Sequence, residues 1–194
     1  NEMRPNQASS KRQQESLPLD IYASLVDALY SDARSLFVGA FAASMTTLIT
    51  AFRTGEWSLY ACAAAIVLLT IARAWDFRAF AAARPKLDSI EDFRPWELRY
   101  VTGAAGHVGL LGVFCLLSFW QTMDPFVHLF AFSITIAYLI GISGRNFASN
   151  LLVNTQIIIA GVPMMMALFI VGDLYYPVFA FVLLLSTFFV PGGA

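Results

Sequence analysis

Six stretches of the chain, residues 36–52, 57–72, 101–121, 126–143, 157–171 and 177–190, carry almost nothing but apolar side chains. A membrane-spanning helix needs about 20 apolar residues, with a range of about 17–25, and a soluble core does not use runs this long. The runs do not alternate apolar and polar residues as barrel strands do. The chain therefore reads as an all-α integral membrane protein, with about six transmembrane helices arranged as three hairpins. The second, fifth and sixth runs are short and must borrow flanking residues, such as 73–77 and 155–156. Composition agrees: only 13% of the 194 residues are charged and 58% are hydrophobic, too little polarity to clothe a soluble domain.

Charge placement sets an orientation. Arg4, Lys11, Arg12 and Arg34 precede the first run; Arg73, Arg78, Arg84, Lys86, Arg94 and Arg99 lie between the second and third; Arg145 follows the fourth. Of the 12 basic residues only Arg53 falls in a loop on the other face. By the positive-inside rule the crowded face is cytoplasmic, with both termini inside a bacterial inner membrane. A formal net charge of -1 and the lack of a basic tract give no basis for binding nucleic acid. Cys62 and Cys115 sit inside apolar runs and act as small hydrophobes, so neither a disulfide nor a metal site is expected.

Residues 1–16 are polar, expected to be disordered, and contain no apolar core of a cleavable signal peptide. Residues 17–35 form an amphipathic interfacial helix, with Asp20 as its N-cap. Its apolar face is Ile21, Tyr22, Leu25, Val26, Leu29 and Tyr30. The opposite face is acidic rather than basic, so the segment is expected to pack on the protein. Residues 36–190 form the membrane domain, and 191–194 a short tail. The cytoplasmic segment 73–100 should extend the second span as helix until Arg84-Pro85 ends it. Asp88 with Glu91 resembles a capping box, Pro95 suggests a restart, and Trp96 and Tyr100 read as interfacial aromatics.

Within the spans, Gly103, Gly106, Gly109 and Gly112 recur every third residue, the pattern of close helix packing in membranes. A groove for a lipid tail, quinone or pigment is the alternative. His107 and His128 are candidate axial ligands for haem or bacteriochlorophyll. They differ in depth by roughly 15–20 Å at about 1.5 Å per residue, so they cannot grip one iron together. Asp124 before Pro125 suits a helix cap, Asp173 marks a second outer turn, and Pro163 should kink the fifth span. Met164 to Met166 read as adaptable filler.

The polar break Gly141-Ile142-Ser143-Gly144-Arg145-Asn146-Phe147-Ala148-Ser149-Asn150 separates the fourth and fifth spans. Arg145 is the only charged residue between Asp124 and Asp173. A cation there suits the carbonyl end of a helix or a lipid phosphate. Its neighbours Asn146, Ser149, Asn150, Asn154 and Gln156 extend this to a candidate head-group or anion pocket, with Arg145 as bidentate donor.

Several pieces occur in one order: Leu17-Pro18-Leu19-Asp20, Asp32-Ala33-Arg34-Ser35-Leu36, Asp124-Pro125-Phe126, Gly144-Arg145-Asn146-Phe147-Ala148-Ser149, Gly161-Val162-Pro163 and Gly172-Asp173 with Tyr175-Tyr176. Over about residues 17–190 the chain resembles the N-terminal six-helix membrane region of alphaproteobacterial GGDEF/EAL proteins of cyclic-di-GMP signalling. The hexapeptide at 144–149 is the most specific piece. In that family the last span leads into catalytic domains; this sequence carries no GGDEF or EAL signature. The resemblance thus implies a non-catalytic sensory or anchoring module partnered by lipids and other transmembrane helices, as a homodimer or in a larger complex. An accessory subunit of a respiratory or photosynthetic complex is the alternative. A small transporter is third, because no acidic or basic pair is expected mid-membrane to couple an ion.

Overall fold

The computed structural model describes residues 18–145, 150–171 and 178, with side chains except at 142–154. Among the described residues the regular structure is entirely helical: α1 (Leu19–Ser31), α2 (Ala33–Thr54), α3 (Trp57–Ala83) running into a 3₁₀ turn (Arg84–Lys86), α4 (Ile90–Gln121), α5 (Pro125–Arg145) and α6 (Asn150–Ile170). Three helical stretches are long and apolar enough to cross a membrane: α2 with 22 residues, α3 through its 3₁₀ turn with 30, and α4 with 32. Shorter apolar stretches occupy Pro125–Gly141 and Thr155–Ile170. The expected N-terminal disorder, the sixth run, Asp173 and the tail lie outside the described residues.

The apolar stretches of α2, α3 and α4 have only 39%, 28% and 44% of their residues buried. Val38, Phe52, Leu68, Trp120, Leu129 and Ile140 therefore face outward. Water would penalise so continuous an apolar exterior, whereas lipid is its natural solvent. On α3 the exposed Trp57 and Trp75 stand 18 residues apart, about 27 Å at 1.5 Å per residue, close to the roughly 30 Å of a hydrocarbon core. Tryptophans at such a spacing are the pattern of interfacial anchors on a membrane-spanning helix.

The helix α4 is the hub, packing on α1, α3, α5 and α6, while α2 packs on α3 and α5. Small residues let the axes approach: Ala43, Ala51, Ala63, Ala131 and Ala160 are buried together with Leu59, Ile66, Leu111 and Phe114. Serine and threonine hydroxyls inside α2 and α4 are satisfied locally; Ser44, Thr47 and Ser118 each donate to a carbonyl four residues back. Such bonds leave no orphan donor in an apolar interior.

At one end, two tight turns meet. Gly55, at φ 73°, closes α2 by donating its N–H to Ala51 O at 2.9 Å, a left-handed cap that glycine adopts without strain. Asp124 caps α5 as expected, its Oδ1 accepting from Phe126 N at 2.9 Å with proline at the first helical position. Its other oxygen pairs with Arg53 Nε at 2.6 Å, and Ser58 donates to Gln121 Oε1 at 2.5 Å. These bonds tie the α2–α3 turn to the α4–α5 turn.

The opposite end gathers α1, the 3₁₀ turn and the first turns of α4. Here α1 packs on protein, burying Val26 and Tyr30 against Leu36, Phe80, Phe93 and Tyr100. Five expectations shift. Pro18, not Asp20, precedes the first turn of α1. The amphipathic segment ends at Ser31, and Ala33 to Ser35 belong to α2, which Asp32 caps through Ser35 N. The capping box is Ser89 with Asp92 rather than Asp88 with Glu91. No restart occurs at Pro95, which lies inside the unbroken α4 near its start. Tyr100, expected at the interface, is only 2% exposed because α1 covers it.

Candidate functional site

The polar break expected to form a pocket is described only in part. Asn146 and Ser149 lie outside the described residues, and the side chains of Arg145, Asn150 and Asn154 are likewise outside them. Gln156 alone is placed, and it turns inward: it is fully buried, and neither amide atom has a hydrogen-bond partner. The polar atoms gathered in the bundle lie elsewhere, around a residue first assigned to the cytoplasmic segment.

That residue is Arg73. The helix continues past it to Ala83 as expected, but the side chain, assigned to the cytoplasmic segment, is only 5% exposed. Arg73 precedes the exposed Trp75 by two residues, about 3 Å along α3 toward Trp57. Space for the guanidinium comes from α4. A Cβ at Gly103 would sit 3.3 Å from Arg73 Nε, so the missing side chain opens the slot. Arg73 Nη1 donates to Tyr138 Oη at 3.4 Å, and the guanidinium lies over the Tyr100 ring, 5.4 Å from its centroid. Nη2 has no partner. Among the described residues no carboxylate lies within 4 Å of Arg73; the ion pairs there join other residues. Asp76, one turn on, is already held by the Tyr30 hydroxyl at 2.9 Å and by Arg99 Nη1 at 3.8 Å.

His107 shares Tyr138 with Arg73. Its ring stacks on Tyr138 at 4.6 Å between centroids, with planes 8° apart. It is fully buried, and neither Nδ1 nor Nε2 has a partner. The Tyr100 hydroxyl is also buried and unpartnered. Gln156 reaches the same level by register. Gly109 faces Ile159, and Gly112 lies against the Ala160 backbone, so α4 and α6 run parallel. Gln156, three residues before Ile159, falls level with Gly106 and His107 but packs on the face of α4 that carries Gly109 and Gly112, turned roughly 140–200° away from His107. It also lies on the stripe of Ala160, Met164 and Ala167 that packs inward.

Each unsatisfied group of this kind is costly in an apolar interior. An isolated buried ion carries an effective penalty on the order of several kcal/mol, and an unpaired neutral polar group about 1–3 kcal/mol. The described side chains do not offset these costs. The cluster presents a guanidinium, an imidazole N–H and a phenol, with one permanent positive charge.

The other sequence candidates have different surroundings. His128 Nε2 lies 2.7 Å from Thr122 O and its ring stacks on Phe119 at 4.1 Å. A carbonyl only accepts, so Nε2 carries the proton and the ring pins the α4–α5 turn. Phe119 and His107 are 12 residues apart on α4, about 18 Å, so the two histidines occupy opposite depths. No group of three or more His, Cys, Asp or Glu able to hold a metal occurs among the described residues. The four glycines divide. Gly103 and Gly106 face Arg73 and Leu69 of α3, while Gly109 and Gly112 face Ile159 and Ala160 of α6.

Sequence reasoning missed Arg73 because the apolar run appeared to stop at Ala72. Two signals were available: Trp75, an interfacial residue beyond it, and a glycine on the next span at the matching depth. No protein-family model, curated protein or solved structure matches the chain.

Proposed function

We propose that the chain is a non-catalytic, membrane-embedded input and anchoring module of the kind that precedes cyclic-di-GMP signalling domains. On this proposal it has six spans in three hairpins, with both termini on the cytoplasmic side of a bacterial inner membrane. The carrying observation is the way α1 is fastened to the basic end of the bundle. Tyr22 donates to the Glu97 carboxylate, Tyr30 bonds Asp76, and Arg84 forms a two-bond pair with Asp27 at 2.6 and 2.7 Å. A surface helix joined to both α3 and α4 is a lever between bundle and cytoplasm. The basic residues of that end support the orientation, and the resemblance at residues 144–149 supports the signalling context.

Tagging the protein at its own locus and extracting it in mild detergent tests this proposal. A native polypeptide far heavier than 21.4 kDa, carrying a GGDEF or EAL domain, is the expected result. A second reading, an accessory subunit of a respiratory or photosynthetic complex, draws on the exposed Phe41, Phe52, Trp57, Trp75 and Trp120. Stoichiometric recovery in such a complex would establish it and overturn the first.

A further inference from the structure

We propose that Arg73, His107 and Tyr100 line an intramembrane site for one anionic oxygen group, a carboxylate or a phosphate. The carrier is either a membrane amphiphile or a free small anion. Three observations converge on an anion. The guanidinium is 5% exposed, with no carboxylate within 4 Å among the described residues, Asp76 one turn on being bonded to Tyr30 and paired with Arg99, and with one nitrogen unbonded. The planar fork of arginine matches two oxygens of a carboxylate or phosphate. Beside it, His107 and the Tyr100 hydroxyl are also buried and unpartnered, and each supplies a donor to the same kind of oxygen.

The fold fixes these groups at one depth. Tyr138 holds Arg73 through its hydroxyl and His107 through its ring face. Gly103 and Gly106 withhold side chains where α4 faces α3. With Trp75 as an interfacial anchor, Arg73 lies about 3 Å inside its level, where a head group of that leaflet is within reach. A neutral ligand such as a quinone would take the hydrogen bonds but leave the guanidinium charge uncompensated, so the anion is the better fit. Metal binding is opposed by the resident cation. This site requires no signalling output, so it is tested independently of the proposed function.

The test uses the full chain purified in a neutral detergent. In the first arm, bound amphiphiles are extracted and identified by mass spectrometry. In the second, delipidated protein is titrated with inorganic phosphate and with acetate while its unfolding temperature is followed. The expected result is an Arg73-dependent ligand in one arm. Arg73→Gln would lose at least tenfold of the bound anionic amphiphile, or lose the anion-induced rise in unfolding temperature. Arg94→Gln, exposed at the same end, would keep either response. Gly103→Ala is the second variant: its new Cβ crowds Arg73 Nε at 3.3 Å, so binding should weaken while circular dichroism and elution stay those of wild type. A first-arm signal assigns the ligand to lipid, and a second-arm signal to a free anion. No Arg73-dependent binding in either arm, or equal loss in Arg94→Gln, overturns the site.

Discussion

At the scale of the residue, glycines separate what the sequence shows from what it hides. The three-residue spacing from Gly103 to Gly112 is legible as a packing stripe, but not which helix meets each glycine. That depends on the 100° turned per residue, which carries the stripe from α3 round to α6. Gly112 is the most constrained, since a Cβ there would meet Ala160 Cα at 2.9 Å and Ala160 O at 3.0 Å. Backbone cannot swing aside as a side chain can. Gly112→Ala should therefore cost about 1–3 kcal/mol, read as a lowered unfolding midpoint in detergent. Gly141, whose Cβ position has nothing within 4 Å, should accept alanine with no loss. Arg73 was the opposite kind of case. Its charge is obvious in the sequence, but its burial depends on a gap in another helix.

At the scale of the element, caps and clamps carry the energetics. Tyr30 stacks on Phe80 at 4.0 Å and sets its hydroxyl 2.9 Å from both Asp76 Oδ2 and Trp96 O. Tyr30→Phe keeps the stack and removes the donor, so it should cost about 1–3 kcal/mol. It should also raise proteolytic cleavage within α1. Ser89→Ala breaks the capping box of α4 and should cost about 1 kcal/mol in chemical denaturation. The Arg53–Asp124 bridge makes a pH prediction. The Arg53 hydrogen bond, then the backbone N–H groups of Phe126 and Val127, hold the Asp124 carboxyl below its ordinary value against a smaller opposing effect of burial. A depressed folded pKa gives stability that is present at neutral pH and lost as pH falls through that lowered value. The unfolding temperatures of wild type and Arg53→Gln should thus differ at pH 6 and converge below the usual carboxylate pKa of about 3.9. The Asp124 cap was legible because Asp-Pro is a local signal. The capping box was misplaced by one residue because Ser89, Asp88 and Glu91 all satisfy the same short pattern.

At the scale of the whole molecule, five of the six apolar runs fall on described helices, three of them in stretches long enough to cross a membrane, and the sixth lies outside the described residues. Such runs report helices because lipid leaves the chain few ways to satisfy its backbone other than helix. Run length does not report how helices pair, and the parallel contact of α4 with α6 had no sequence signature beyond two glycines. The orientation can be checked by cysteine labelling, because both native cysteines are buried. Glu56→Cys and Met123→Cys should react with an impermeant maleimide from the periplasmic side, and Lys86→Cys only after the membrane is opened. The contact at Gly112 and Ala160 has one further consequence, for biogenesis. It joins helices that are not neighbours in the chain, with α5 between them. In the proposed membrane setting, α4 enters the bilayer with its glycine groove against lipid and waits for α5 and then α6 to emerge. A nascent chain stalled after α5 should accordingly be the form most exposed to membrane quality-control proteases.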